Sequence, residues 1–240
     1  MADMLSFRQV TVRSAGFAEP LLHELTASVA RGAALTLVGP PGCGKSTALA
    51  LIAGGLAPTS GSVRVADIDP VPLRGTALAR HRQAIGYVPQ RGALLSNLSL
   101  ADNITLPLRY HRGVGPDEAA AALKVLLRLF EVEDPPAVQA ALASPIWRGI
   151  AALGRALIME PALLVLDDLG EDLDAVDRED LWRLLWRVRV ERGLTVLAST
   201  TDLAAATTLG DQVVQLPGRR PVNFRILRAS SLTLNPYDPN

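Results

Sequence analysis

The sequence predicts an α/β domain with a helical insertion. Three observations carry that expectation. The loop Gly39-Pro40-Pro41-Gly42-Cys43-Gly44-Lys45-Ser46-Thr47 separates a short apolar run from a helix-forming run. A second apolar run, Leu163-Leu164-Val165-Leu166, ends in the paired carboxylates Asp167 and Asp168. Between them, from about Leu98 to Leu157, apolar residues recur at helical spacing. Strands alternating with helices pack as a mostly parallel sheet covered by helices.

The elements follow in order. "MLSFRQVTV" and "LLHELTASV" are rich in β-formers and are expected to be antiparallel neighbours. "GAALTLVG" is an apolar run that stops at a Gly/Pro loop, as a buried strand does. "STALALIAGG" reads as a helix closed by Gly54 and Gly55. "SGSVRVADID" and "AIGYVPQ" are further strands. In the insertion, Leu123, Leu126, Leu127 and Phe130 share one helix face behind Pro116-Asp117, a suitable helix start. "PALLVLDD" returns to a buried strand, and Leu181, Leu184, Leu185 and Val188 mark another amphipathic helix. "GLTVLAST" and "DQVVQLP" are the last strands expected. Residues 217–240 form a tail whose end, "SSLTLNPYDPN", favours neither helix nor strand and is expected to be loose or pinned to a partner. One domain is expected over 1–240, with the insertion at about 98–157 and no internal repeat.

Composition limits the function classes. The chain has 240 residues, 49% of them apolar, enough for one buried core. Its formal net charge is zero, which argues against a nucleic-acid partner, since phosphate backbones call for a cationic surface. Arg219, Arg220, Arg225 and Arg228 are read as surface charges, with lipid or partner contacts as the alternative. A lone cysteine excludes an intrachain disulfide framework and fits a reducing compartment. "MADMLSFRQVTVRS" lacks the basic start and apolar run of a signal peptide. No stretch approaches the ~20 apolar residues of a membrane span. A soluble or peripheral protein is expected, with any membrane role exercised through a partner.

The residues that carry chemistry are the loop and the two acids. Gly39 to Thr47 meets the pattern G-x-x-x-x-G-K-[ST] between a strand and a helix. Glycines let backbone N–H groups turn inward around an anion, and the helix that follows adds its dipole. Lys45 is expected to place a charge at the β- and γ-phosphates, and the Ser46 hydroxyl to face Mg²⁺. The remaining loop residues, Pro40, Gly42, Cys43, Gly44 and Thr47, complete the expected nucleotide contact. Parallel sheets bind ligands at the C-terminal ends of their strands, where Asp167 is expected to hold Mg²⁺ directly or through water. A plain glycine turn and a helix-capping acid are the alternatives for these two features.

With these residues the chain resembles the ATP-binding cassette (ABC) ATPases over nearly its whole length. "YVPQ" at 87–90 resembles the Q-loop, so Gln90 is implied to reach Mg²⁺ and the attacking water. "EDLD" at 171–174 falls at the D-loop, with Asp174 matching the family aspartate, and "ALGRALIMEPALLVLDD" is similar to the run from signature helix into Walker B strand. The resemblance implies a P-loop NTPase (RecA-like) core, an N-terminal antiparallel β subdomain and an inserted helical subdomain. It implies ATP and Mg²⁺ as cofactors and a head-to-tail dimer with a second cassette, identical or not. It further implies an integral membrane permease as partner, with the chain peripheral on the cytoplasmic face of the inner membrane. The segment "QRGALLSNLSLADNITLPLRYH", 90–111, looks like that of the Mce-associated (Mla-type) lipid transporters and would grip the permease. The alternative is an ordinary amphipathic helix of the insertion. Phe17 is the candidate for an adenine-stacking aromatic, with a core or loop phenylalanine as the alternative.

Departures from the family pattern are expected to slow or abolish hydrolysis. The family's L-S-G-G-Q falls on Ala143-Ser144-Pro145-Ile146-Trp147, where only the serine is kept. Pro145 has no N–H for a phosphate, and Ile146 and Trp147 add bulk where backbone should approach. As a helix start the segment is sound: Ser144 is a good N-cap, Pro145 a good first residue, and Ile146, Ile150, Leu153 and Leu157 form a core stripe. Asp168 stands where the family has its catalytic Glu and is shorter by about 1.5 Å. Thr201 stands at the switch histidine, and His23, His81 and His111 are read as surface or packing residues. Asp168 and Thr201 belong to the site with this chain's own loop, whereas 143–147 belongs to the opposing site. A homodimer would carry all these changes in both sites; a heterodimer would divide them.

Overall fold

The computed structural model describes residues 3–13, 19–217 and 225–228. Phe17 and most of the tail, including Arg219 and Arg220, lie outside the described residues. In chain order the strands are β1 (Asp3–Val12), β2 (Leu22–Ala30), β3 (Ala34–Val38), β4 (Ser60–Val65), β5 (Ile85–Val88), β6 (Leu163–Asp167), β7 (Thr195–Thr200), β8 (Gln212–Gln215) and β9 (Arg225–Arg228). The α-helices are α1 (Lys45–Ile52), α2 (Gly75–Gln83), α3 (Leu100–Pro107), α4 (Pro116–Phe130), α5 (Pro145–Leu157), α6 (Ala175–Arg192) and α7 (Leu203–Leu209).

Two sheets organise these elements. The smaller is antiparallel, in the order β2-β1-β4. The larger runs β5-β6-β7-β3-β8-β9, parallel except for β9, which pairs antiparallel with β8. Every residue of β3 and of β6 is buried, which explains sequences that are apolar but for Thr36 and Asp167. The N-terminal strands and the core sheet share one apolar cluster, in which Phe7, Leu25, Leu37, Leu49, Leu163 and Val214 are all buried.

Residues 98–157 add a helical layer between β5 and β6. Leu123, Leu126, Leu127 and Phe130 are all buried, as their spacing predicts. They join Ile104, Leu108, Ile150, Leu153 and Leu157 in a second cluster, which reaches Leu181, Leu184, Leu185 and Val188 of α6. A π-helical turn, Leu108–Arg112, follows Pro107 of α3, whose missing N–H breaks the regular ladder. Ser99 caps α3 by accepting from the Asp102 N–H at 3.0 Å.

The strand expected over "SGSVRVADID" stops at Val65, because Ala66 and Asp67 turn the chain with positive φ. The tail expected over 217–240 contains a strand, β9, which closes one edge of the core sheet. Its partner β8 supplies the ladder, a tertiary contact that local composition does not announce.

Truncating the helical core should be costly. Phe130→Ala is expected to lower unfolding free energy by about 3–5 kcal/mol in urea titrations. Val190→Ala, at a position 62% exposed on α6, should stay within about 0.5 kcal/mol.

Candidate functional site

The site forms where β3 and β6 end, with β7 between them. Gly39 follows β3 and donates its N–H to the Thr200 carbonyl of β7 at 3.2 Å. The loop then turns through Gly42 (φ 75°) and Gly44 (φ 99°) into α1. At Gly44 a Cβ would meet the Leu21 carbonyl at 2.7 Å and the Leu22 side chain at 2.8 Å. Glycine is therefore required there by backbone angle and by space. Gly44 is also the N-cap of α1, whose first turn carries no acid. The loop thus presents the positive end of the helix dipole without a compensating side chain.

Lys45 is 5% exposed. Its ammonium donates to the Gly39 carbonyl at 2.9 Å and lies 3.9 Å from the Asp168 carboxylate. Ser46 is exposed at the loop exit and donates to Asp167 Oδ1 at 3.2 Å. Asp167 also accepts from the Ser199 hydroxyl at 2.8 Å. That hydroxyl in turn accepts from the Asp168 N–H at 3.1 Å, and the same N–H donates to the Ser199 carbonyl at 3.2 Å. These bonds hold Asp168 at φ 50°, a left-handed conformation that Asp tolerates better than most residues. Burial raises the Asp168 carboxyl above its ordinary 3.8, Lys45 opposes the rise, and Asp167 and Glu171 add to it. Burial likewise raises the Cys43 thiol in the loop, against the pull of Lys45.

The sequence-expected residues Gly39, Pro40, Gly42, Cys43, Gly44, Lys45, Ser46 and Thr47 therefore share one turn, and Asp167 and Asp168 face it. The donors suit the expected group: a glycine cradle for polyphosphate, and hydroxyl and carboxylate oxygens for a hard divalent cation. Gln90 follows β5 by two residues and donates its side-chain N–H to the Glu171 carboxylate at 2.6 Å. Arg155 of α5 donates to the carbonyls of Gly92 at 2.6 Å and Ala93 at 3.0 Å, tying the segment after Gln90 to the helical layer.

Ser199, Glu171 and Tyr87 were missed by sequence reasoning. Ser199 is the last residue but one of β7, and only the pairing of β6 with β7 sets it opposite Asp167. Tyr87, on β5, has its phenol raised by partial burial and by the nearby charge of Asp167. Glu171 opens the "EDLD" segment, in which only Asp174 matched a family position.

The 143–147 segment differs from expectation in two ways. Ser144 occupies the N-cap of α5, but its hydroxyl makes no capping bond. Pro145 presets the first helical φ, and the Ser144 carbonyl accepts from the Arg148 N–H at 3.0 Å, so backbone alone starts the helix. Ile146 packs partly on the helical core, as its stripe predicts, but Trp147 is half-buried there too, so part of its bulk serves the chain's own packing. Ser144 and Pro145 are exposed. Thr201 is exposed just past β7. His81 is buried against the Ile52 carbonyl at 2.7 Å, while His23 and His111 are exposed, as expected for packing and surface residues.

The sequence profile described as ABC transporter matches residues 22–169, more than half of the chain. The chain belongs to this family. It is 31% identical over 201 residues to the methionine import ATP-binding protein MetN of Latilactobacillus sakei, covering 84% of this chain and 58% of that protein. It is 33% identical over 207 residues to the Nod factor export ATP-binding protein I of Bradyrhizobium diazoefficiens, covering 86% of this chain and 66% of that protein. The chain thus spans less than two thirds of the length of these curated relatives. Among solved structures, the ATP-binding cassette MJ0796, a dimer bound to ADP and Pi, superposes with a TM-score of 0.81 at 26% identity. That match covers 94% of this chain and 99% of the other. The architecture expected from sequence, a P-loop NTPase core with an antiparallel β subdomain and inserted helices, is the one observed.

Two outcomes follow from this geometry. Ser199→Ala removes a hydroxyl that both donates and accepts in a buried position, and should cost about 1–3 kcal/mol in chemical denaturation. For Asp168 the folded-state value lies above 3.8, so the folded chain holds this proton more tightly than the unfolded one. The associated stability is complete below the unfolded value and is lost as pH rises through the folded one. The denaturation midpoint of Asp168→Asn, relative to wild type, should therefore climb as pH rises through that window and then level off.

Proposed function

We propose that this chain is the Mg-ATP-binding subunit of an ABC transporter, with slow or absent hydrolysis. The observation that carries this reading is the buried Lys45 ammonium, set at a glycine turn with Ser46, Asp167 and Asp168 around it. Turned amides and the α1 N-terminus would attract the polyphosphate, and Lys45 would supply a positive charge to it. Ser46, Asp167 and Gln90 would hold Mg²⁺, which would supply charge neutralisation at the phosphates. Asp168 orients the attacking water from a side chain about 1.5 Å shorter than a glutamate.

The slow turnover rests on that short reach, on Thr201 in place of a cation, and on Pro145 with its half-buried neighbours in the segment offered to an opposing cassette. The second cassette is identical or homologous, and the two pair head to tail. An integral membrane permease is the further partner, gripped by the segment 90–111. We place the chain on the cytoplasmic face of the inner membrane through that partner; among the described residues, no helix is long and apolar enough to cross a membrane. The zero net charge argues against a nucleic-acid partner. We read residues 1–240 as one ATP-binding domain with its insertion at about 98–157 and a tail from 217. A lipid is the substrate class that segment 90–111 supports; the two relatives are named for methionine import and Nod factor export. Phe17 remains our candidate for stacking on adenine.

A second reading is a non-catalytic ATP-binding subunit that organises or gates the complex. It is favoured by Pro145, which brings no N–H to the start of α5. Nucleotide binding by the isolated chain, set beside phosphate release by the assembled complex, separates the two. Lys45→Ala should abolish binding. Asp168→Glu should raise phosphate release by about 10- to 100-fold under the first reading and leave it at background under the second. Wild-type turnover at the rate of ordinary cassettes, lost in Lys45→Ala, would overturn the slow-hydrolysis assignment.

A further inference from the structure

We propose that Glu171 is a positioning residue that orients the Gln90 amide so that its carbonyl oxygen is the end offered to the metal. The inference rests on the Mg-nucleotide reading above and deepens it.

A glutamine amide has two ends of nearly equal size and opposite chemistry: a carbonyl that accepts and an NH₂ that donates. Only the carbonyl can ligate a hard cation. A Q-loop glutamine with nothing beside it would sample both orientations, and half of them would turn donors toward the metal. Here the Gln90 Nε2 lies 2.6 Å from Glu171 Oε2. An ionised carboxylate has acceptors alone, so the partner must be the NH₂ end. With that end engaged, Oε1 remains available on the other side of the amide.

The placement of Glu171 is built into the loop that carries the two site acids. Gly170 turns this loop with φ 81°, and the Glu171 N–H donates to the Asp168 carbonyl at 3.2 Å. The next residue, Asp172, reaches Arg148 of α5 at 3.8 Å. Val88 of β5, two residues before Gln90, pairs with Leu166 of β6, just before Asp167. Glu171 therefore spans from the end of one strand to the segment after its neighbour. Both side chains are exposed, so the bond's value lies in orientation more than in stability.

The test uses the full chain and a fluorescent ATP analogue, titrated with Mg²⁺ and, separately, bound in excess EDTA. Glu171→Ala should raise the Mg²⁺ concentration for half-maximal binding by about threefold to tenfold, the range of one hydrogen bond, with metal-free affinity unchanged. Glu171→Gln, whose own carbonyl still accepts, should recover most of the wild-type Mg²⁺ dependence and guards against a folding defect in the alanine variant. In a Gln90→Ala background, Glu171→Ala should add nothing. The inference is overturned if Glu171→Ala matches wild type in Mg²⁺, tightens Mg²⁺ dependence, weakens binding equally in EDTA, or adds fully to Gln90→Ala. Failure of the wild-type chain to bind the analogue in either condition overturns the nucleotide reading itself, and this inference with it.

Discussion

A cation buried in a protein interior is costly unless acceptors are held around it. Lys45 is such a cation, 5% exposed. The Gly39 carbonyl serves it from the end of β3, and the Asp168 carboxylate from just past β6. Those two strands are not neighbours, since β7 runs between them. The lysine's electrostatics are therefore satisfied only when β3, β7 and β6 stand side by side in register. Much of the rest of the architecture can be understood as what keeps these three strand ends together.

The middle strand does this through its last residues. Ser199 bridges the Asp167 carboxylate and the Asp168 backbone, and the Thr200 carbonyl receives the Gly39 N–H. The glycine loop is thus tied to a carboxylate pair by a strand with no charged side chain of its own. Asp168 bears the strain of this arrangement in a left-handed backbone and a carboxyl raised by burial. Asp168 thus feels two further acids, Asp167 and Glu171, against the single Lys45 ammonium. That imbalance suits a site meant to receive a divalent cation with its polyanion.

The helical layer solves a different problem. Its core stripe of Ile150, Leu153 and Leu157 anchors α5 firmly, and Arg155 fastens the helix to the carbonyls after Gln90. The start of the helix is left with an exposed Ser144 and Pro145, while Ile146 and Trp147 fold partly onto the same core. Pro145 supplies a preset first turn, and Ile146 and Trp147 add packing.

By itself the sequence determined the parts: the buried strands β3 and β6, the phosphate loop, the paired acids, and the amphipathic faces of α4, α5 and α6. Each of these is encoded locally, in apolar periodicity or in the backbone freedom of glycine at a fixed spacing. The tertiary structure decided which parts meet. Ser199 acquires its role from strand register, Glu171 from a loop's path back to Gln90, and β9 from a partner strand, none of which leaves a local trace. The reason is physical: a hydrogen bond between residues 81 apart, as between Gln90 and Glu171, depends on the packing of everything that separates them.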